Sequence, residues 1–173
     1  MAKEKNLSVI MSLHELDLAE RISSKIACVR GDQVDRFGTP EEIFSGGYIS
    51  ELYGMTVGSY EEITGNLELE PVKGIPQVFV IAGCGTGTQT FRRLQREGVP
   101  FATGILYEND LDFPSAKALA SQIISVKPFA EIDEASLEKA KKVIRKCGKV
   151  ICTMDLETAG QTGRKMKELL QNV

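Results

Sequence analysis

"QVFVIAGCGTGTQTFRRLQREG" occupies residues 77–98, and its three parts decide the fold class. Residues 78–82 form a continuous apolar run, which is typical of a β-strand covered on both faces. A glycine-rich turn follows, and a helical segment then ends at Gly98, because glycine adopts the conformation that closes helices. Since a strand, a helix and a further strand form the repeating unit of parallel sheets, this stretch predicts α/β structure.

The same alternation continues to the C-terminus. Short apolar runs predict three further strands, at residues 100–106, 123–129 and 149–154. Helical periodicity predicts three further helices, at residues 113–122, 133–148 and 160–171. Asp133 has the position and residue type of an N-cap for the second of these helices. We therefore predict a small Rossmann-like parallel β-sheet with flanking helices over residues 77–173.

The glycine-rich turn between the strand and the helix is a candidate ligand site. Gly83, Gly85 and Gly87 let the backbone approach a ligand closely, and the amides of Thr86, Gly87 and Thr88 are predicted to face a small anion. Compared with the dinucleotide-binding pattern G-x-G-x-x-G, the third glycine position is Thr88 and Gly87 is an extra glycine, which weakens a dinucleotide interpretation. The alternative is a tight turn that only joins the strand to the helix.

Three acidic residues follow the next strand of the predicted sheet. Glu108, Asp110 and Asp112 lie in "LYENDLD", about as far beyond the glycine turn as an acid that binds a ribose hydroxyl. Oxygen ligands of this kind could also bind a metal ion. An acidic cluster directly before a helix more often stabilises the positive end of that helix, so we assign no metal site.

The N-terminal part of the chain opens with the apolar segment "LSVIMSL" at residues 7–13, which predicts a buried strand. A helix is predicted directly after it, with Leu16, Ala19 and Ile22 on one face. A strand of this kind expects neighbours on both sides, and an uncovered strand pairs readily with another chain. We therefore expect a homodimer, or association through residues 1–45.

A hairpin and a short capped helix follow. Residues 25–38 predict two short strands joined by a turn at Gly31 and Asp32. In "TPEEIF", Thr39 is the expected N-cap, Pro40 opens the helix, and Glu42 completes a capping box. Residues 47–76 lack a long regular period and predict a linker with a short helix and one strand at "NLELE".

The order of these features resembles the C-terminal part of the ATP-binding subunit of ABC transporters. The matching order is a strand, His14, a D-x-A helix, a strand, a turn, a strand and "GTPEEIF", within residues 2–54. The resemblance is strongest to subunits of importers for iron-siderophore complexes and cobalamin. It implies a partial ABC ATPase cassette at residues 1–46, a linker at 47–76 and an accessory domain at 77–173.

The resemblance also implies a role for His14. In that family the histidine after this strand is the switch histidine, which hydrogen-bonds the γ-phosphate of ATP. An imidazole held at the end of a strand is a suitable donor to developing phosphoryl charge. For the full-length parent the resemblance implies ATP and Mg²⁺ as cofactors, membrane permease subunits as partners, and a cytoplasmic location at the inner face of the membrane.

Motifs that ATP hydrolysis requires are missing from the sequence. It contains no G-x-x-x-x-G-K-[ST] phosphate-binding loop, and no apolar run ending in Asp-Glu precedes His14. "FSGGY" at residues 44–48 follows the histidine, whereas the signature motif of the family precedes it, so we expect a turn there. The Walker A, Walker B and signature motifs are thus absent, and we expect no ATP hydrolysis by this chain alone.

The composition limits the possible classes of function. Of 173 residues, 42% are hydrophobic and 26% are charged, as in globular proteins. The net charge of -3 predicts no extended positive surface for nucleic acid. The four cysteines form no C-x-x-C pair, so neither a disulfide framework nor a zinc site is expected, and a reduced, cytoplasmic setting fits best.

Three functions remain open at this point. The leading interpretation is the C-terminal portion of an ABC importer ATP-binding protein with a regulatory, ligand-sensing domain. The alternative is a free-standing Rossmann-like module that binds a nucleotide or another small ligand and dimerises through its N-terminal segment. The third is an interaction domain without a ligand.

Overall fold

The computed structural model describes residues 7–54, 59–61 and 66–171. The chain forms two compact units. The first contains residues 7–54, 60–61 and 66, and the second contains residues 59 and 67–171. The buried apolar residues form one cluster in the first unit and two clusters in the second.

The first unit is built around an antiparallel hairpin with short helices. Its elements are α1 (Leu16–Ile22), β1 (Ile26–Arg30), β2 (Gln33–Gly38), α2 (Pro40–Ile43) and α3 (Tyr48–Leu52). The predicted hairpin is confirmed, and Gly31 at its turn has a φ of 64°. The capping box is also confirmed, because the Thr39 hydroxyl accepts from Glu42 N and the Glu42 carboxylate accepts from Thr39 N.

Tyr48 lies at the centre of the small core of the first unit. It is buried together with Cys28, Ile43, Phe44 and Ile49. Its hydroxyl donates to the Asp35 carboxylate at 2.6 Å, and the Arg36 guanidinium lies 3.7 Å from the ring centroid. Burial, and the hydrogen bond to Asp35, raise the pKa of Tyr48. The tyrosine thereby joins β2 to α3.

The predicted buried strand at residues 7–13 is wrong. Residues 7–15 form no helix or strand, and Val9 and Ile10 are 61% and 98% exposed. A strand is stable only when a neighbouring strand pairs with its backbone. In the described part of the first unit, β1 and β2 pair with each other, and neither pairs with residues 7–13.

Two short strands lie in the segment in which the chain passes from the first unit to the second. They are β3 (Ser59–Glu61) and β4 (Asn66–Glu68), which form a two-stranded sheet, and β4 confirms the strand predicted at "NLELE". The buried carboxylate of Glu68 accepts from Arg92 Nε at 3.0 Å and lies 3.3 Å from the Ser115 hydroxyl, which donates to it. This ion pair ties the end of β4 to the helices that carry Arg92 and Ser115.

The second unit has the predicted alternation of strands and helices. Its elements are β5 (Val78–Ile81), α4 (Thr88–Arg96), β6 (Phe101–Tyr107), α5 (Phe113–Leu119), β7 (Gln122–Val126), α6 (Glu134–Ile144), β8 (Lys149–Cys152) and α7 (Gly160–Gln171). The four strands form a parallel sheet in the order β7-β6-β5-β8. The α/β fold class is thereby confirmed, and Asp133 caps α6 as predicted.

Both faces of this sheet are covered. Phe79 and Ile81 of β5 pack in a cluster with residues of α6 and α7. Val78 and Val80, which alternate with them along the strand, pack in a second cluster with residues of α4 and α5. All four residues of β5 are buried, which explains the continuous apolar run. No helix in the described part of the chain is long and apolar enough for a transmembrane span.

Candidate functional site

The strand order creates a place in the second unit where ligands commonly bind. From β5 the chain proceeds to β6 and β7 on one side and then returns to β8 on the other side. In open parallel sheets, a crevice forms at the carboxyl ends of two strands where the order reverses in this way. The loops after β5 and β8 therefore form the candidate site.

The loop after β5 is the glycine turn, and its backbone needs glycine at two positions. Gly85 has a φ of 82°, in the left-handed region that glycine adopts without strain. At Gly87 an added Cβ would lie 2.5 Å from Ala82 Cβ and 2.7 Å from Phe91 Cζ. The amide of Thr86, which the sequence predicted to face an anion, instead donates to Gly83 O at 3.2 Å.

Asp112 accepts the hydrogen bonds that we expected an external anion to accept. Its fully buried carboxylate accepts from Gly87 N, Thr88 N and Thr88 Oγ1, each at 2.9 Å. Gly87 is the N-cap of α4 and has no side chain with which to cap the helix. Asp112 therefore satisfies the first amides of α4 and places a negative charge at the positive end of the helix.

Asp110 holds the other end of the same loop. Both of its carboxylate oxygens accept from Cys84 N, at 3.0 and 2.9 Å, and Oδ1 also accepts from Asp112 N at 2.9 Å. Cys84 has a φ of 57°, which is uncommon for a residue other than glycine. Asp110 and Asp112, which we expected to contact a ligand, thus contact the amides of the glycine turn directly.

Glu108 does not join the other two acids at the loop. Its carboxylate pairs with Lys127 Nζ at 2.8 Å and lies 3.5 Å from the Ser125 hydroxyl. The described residues contain no group of three His, Cys, Asp or Glu side chains that could hold a metal ion.

Thr153, which directly follows β8, was not predicted from the sequence. Its hydroxyl lies 2.9 Å from the Thr86 hydroxyl, and its amide donates to Ile81 O at 2.9 Å. The two hydroxyls thus meet where the strand order reverses. The sequence places Thr153 at the end of a strand, but only the order of the strands brings it beside Thr86.

Asp155, two residues further along, caps the same loop. Its carboxylate accepts from Glu157 N at 2.9 Å, and this bond, with a smaller one from Thr158, lowers the pKa of Asp155. The loop after β8 is therefore ordered by its own side chains.

His14 lies in the first unit, in the exposed segment before α1, and directly precedes the Glu15 N-cap. Its side chain is open to solvent, and the described residues of its unit place no phosphate-binding loop beside it. Any nucleotide contact of His14 would need groups that residues 7–54 do not supply.

Comparisons with known proteins give partial matches. The sequence model of the MJ0874 family matches residues 101–172, which begin with β6 and include α7. The uncharacterized ABC transporter ATP-binding protein MJ0873 of Methanocaldococcus jannaschii is 35% identical over 108 residues, which cover 61% of this chain and 37% of that protein. No solved structure matches the chain.

Two further relatives match a larger share of the chain. They are the cobalamin import ATP-binding proteins BtuD of two strains of Halobacterium salinarum, each 24% identical over 149 residues, which cover 82% of this chain and 37% of each relative. The matched share exceeds what the second unit contains, so the similarity includes parts of both units. The chain spans little more than a third of the length of these curated relatives.

Proposed function

We propose that this chain is the C-terminal portion of the ATP-binding subunit of an ABC importer of the iron-chelate or cobalamin type. The observation that carries the proposal is the similarity of 82% of the chain to two cobalamin import ATP-binding proteins. The order of the features that follow His14, namely α1, the hairpin of β1 and β2, and the capped helix α2, supports the same conclusion. In the whole protein, ATP and Mg²⁺ would bind in a pocket that His14 helps to form, and permease subunits would anchor the protein at the inner face of the cell membrane.

His14 is the residue through which this proposal is tested. A chimera would carry residues 1–173 in place of the matching portion of a BtuD-type relative. We expect the chimera to hydrolyse ATP and the variant His14→Ala to lose about 100-fold or more of that activity, because one donor to transition-state charge is removed. The control is Ser12→Ala, a nearby exposed substitution that should have no effect.

The chain alone, unlike the chimera, is expected to be inactive. Without a phosphate-binding loop it should not hydrolyse ATP, and a magnesium-dependent turnover above about 1 per second would contradict the proposal. Equal activity of the His14→Ala and Ser12→Ala chimeras would also contradict it.

The second unit has a regulatory, ligand-binding role in this proposal. Its candidate residues are those of the glycine turn and the acids beside it: Gly83, Gly85, Thr86, Gly87, Thr88, Glu108, Asp110 and Asp112. The amides of Cys84, Gly87 and Thr88 already donate to carboxylates. The Thr86 hydroxyl donates to Gly83 O at 2.8 Å and the Thr153 hydroxyl donates to Ile81 O at 3.3 Å, so a ligand at this loop would replace the 2.9 Å contact between the two hydroxyls.

A thermal-shift panel of nucleotides, adenosylated cofactors and corrinoids tests the regulatory role. A ligand at about 100 times its dissociation constant should stabilise the second unit by about 2.7 kcal/mol. For a ligand without phosphate groups, Thr153→Val, which removes the hydroxyl but keeps the size, should abolish the shift, whereas Thr158→Val should not. A chain that responds to no compound would instead favour an interaction domain without a ligand.

The alternative function is a free-standing module that dimerises through its N-terminal segment. The exposure of Leu7, Val9, Ile10 and Met11 favours this alternative, because a run of exposed apolar side chains favours contact with another surface. It would be preferred if the panel identifies a ligand and the chimera hydrolyses no ATP.

A further inference from the structure

A cavity of about 1070 Å³ lies at the amino ends of the strands in the second unit. Its walls include the starts of β5 and β8 and the end of α4. The backbone at its base is fixed, because Gln77 N donates to Pro100 O at 2.8 Å and Gly148 N donates to Gln77 O at 2.9 Å. A second cavity of about 450 Å³ lies beside β7 and α6, and Lys146 lines both. The two cavities are thus neighbours.

Positive charge dominates the lining of both cavities. Glu97 is their one acidic lining residue, whereas the basic lining residues are Lys73, Arg93, Lys139, Lys142, Lys146 and Lys149. None of the six makes an ion pair with a carboxylate in the described part of the chain. Such a concentration is unexpected in a chain whose net charge is -3. Cations gathered in a cleft attract anions more strongly than the same cations scattered over a surface.

Helix termini account for only part of this charge. Basic residues stabilise the negative ends of helices, which explains Arg93 near the end of α4 and Lys142 and Lys146 at the end of α6. Lys73 precedes β5, however, and Lys149 is the first residue of β8. Neither lies on a helix, yet both line the larger cavity.

The opposite end of the sheet offers a phosphate group few free donors. There the carboxylates of Asp110 and Asp112 accept the amides of the glycine turn, and Asp155 adds a further negative charge after β8. An incoming phosphate would meet these carboxylates instead of free donors. At the amino end, by contrast, the basic residues that line the larger cavity outnumber its one acidic lining residue, Glu97.

We propose that this basic cavity binds a soluble small molecule that carries two or more phosphate groups. Lysine ammonium groups are compact charges that suit phosphate oxygens, and several of them suit several phosphates. The larger cavity is open to solvent, and its volume is slightly above the usual range of small-molecule sites; Ile75, Val99 and Ile151 add apolar surface to its lining. The inference goes beyond the ligand-binding role proposed for the glycine turn, because the cavity shares no residue with that turn.

Titration of the whole chain with inorganic triphosphate tests this inference. Amide resonances of Gly148, Lys149 and Gly98 should shift and saturate, while that of Gly85 should not move. Orthophosphate should bind more weakly, and added salt should weaken both. If triphosphate causes no saturable shift, or shifts Gly85 instead, the inference is overturned.

Matched charge variants distinguish binding of triphosphate in the cavity from a general attraction of triphosphate to surface lysines. Lys146→Gln and Lys149→Gln should each weaken triphosphate binding about fivefold, the effect of one charge at about 4 Å in water. The control Lys117→Gln removes the same charge from the last turn of α5, outside both cavities, and should bind like the unmodified chain. Equal weakening in all three variants would overturn the inference.

Two further measurements identify the source of the phosphate and the fold of the variants. Vesicles with anionic lipids should not retain the chain, and retention on vesicles without triphosphate binding would overturn the inference in favour of a membrane surface. Unchanged amide resonances of β5 and β6 establish that each variant is folded. Triphosphate is the only ligand used in these experiments. The titration is therefore independent of whether the chimera hydrolyses ATP and of whether the glycine turn binds a ligand.

Discussion

Asp112 caps a helix from 25 residues further along the chain. Most N-caps lie directly before the helix that they cap, but α4 begins after glycine and has no such side chain. Asp112 supplies the missing acceptor from the loop after β6, and itself precedes α5. The carboxylate therefore joins the loop before α5 to the start of α4, although it makes no capping hydrogen bond to α5 itself.

We expect Asp112→Ala to destabilise the second unit by about 3 kcal/mol. Three buried or half-buried donors would lose their acceptor, and a buried unsatisfied donor costs about 1–3 kcal/mol. Urea denaturation, followed by circular dichroism, measures the change. The control is Asp155→Ala, which removes an exposed carboxylate from the loop after β8 and should cost clearly less. Equal losses in the two variants would show that Asp112 contributes no more than a surface cap.

In the first unit, the contacts of Tyr48 stabilise helices that are too short to be stable alone. The helices α2 and α3 have four and five residues, too few to be stable alone. The Tyr48 hydroxyl bonds Asp35 on β2, and its ring packs against Arg36 and Cys28. The stability of this group of elements should therefore depend on the protonation of Tyr48.

We expect the first unit to lose stability as the pH rises above about 10, the ordinary pKa of tyrosine. The raised pKa keeps Tyr48 protonated in the folded chain after the unfolded chain has lost the proton. The contribution is complete below the unfolded pKa and disappears as the pH passes the folded value. Alkaline absorbance titration should give a late ionisation that Tyr48→Phe removes and Tyr53→Phe, at an exposed site, does not. An ordinary ionisation of Tyr48 would refute the prediction.

The elements also explain which predictions from the sequence succeeded. Strands β5 to β8 and their helices could be predicted because β5 is buried on both faces and because Gly98 and Asp133 mark helix ends locally. The prediction of a strand at residues 7–13 was wrong because an apolar pattern indicates only that side chains favour burial. A strand also needs a neighbouring strand whose backbone pairs with its own.

The candidate site was predictable to the same extent. The sequence indicated that the glycine turn and the acids each follow a strand of a parallel sheet. It could not indicate that Asp112 would accept the amides of Gly87 and Thr88, because that depends on distances between distant segments. Thr153 and the basic cavity were missed for the same reason, since both depend on the order of the strands.

For the whole molecule we predict self-association through residues 1–45. Leu7, Val9, Ile10 and Met11 are each more than half exposed, and burial of such side chains between two chains is favourable. Static light scattering at increasing concentration should give a dimer for the unmodified chain and a monomer for Ile10→Glu. The control Glu20→Gln, on α1, should remain dimeric. A monomer at all concentrations would contradict the prediction.

A fragment for studying the second unit by itself must include Glu68, because Glu68 forms an ion pair with Arg92. A peptide that begins at Gln77, where the first strand of the sheet was recognised in the sequence, would leave the Arg92 guanidinium and the Ser115 hydroxyl without their carboxylate. A fragment that begins at Asn66 retains this contact. Any dissection of the molecule should therefore cut ahead of β4, and a fragment trimmed further would be measured in a weakened form.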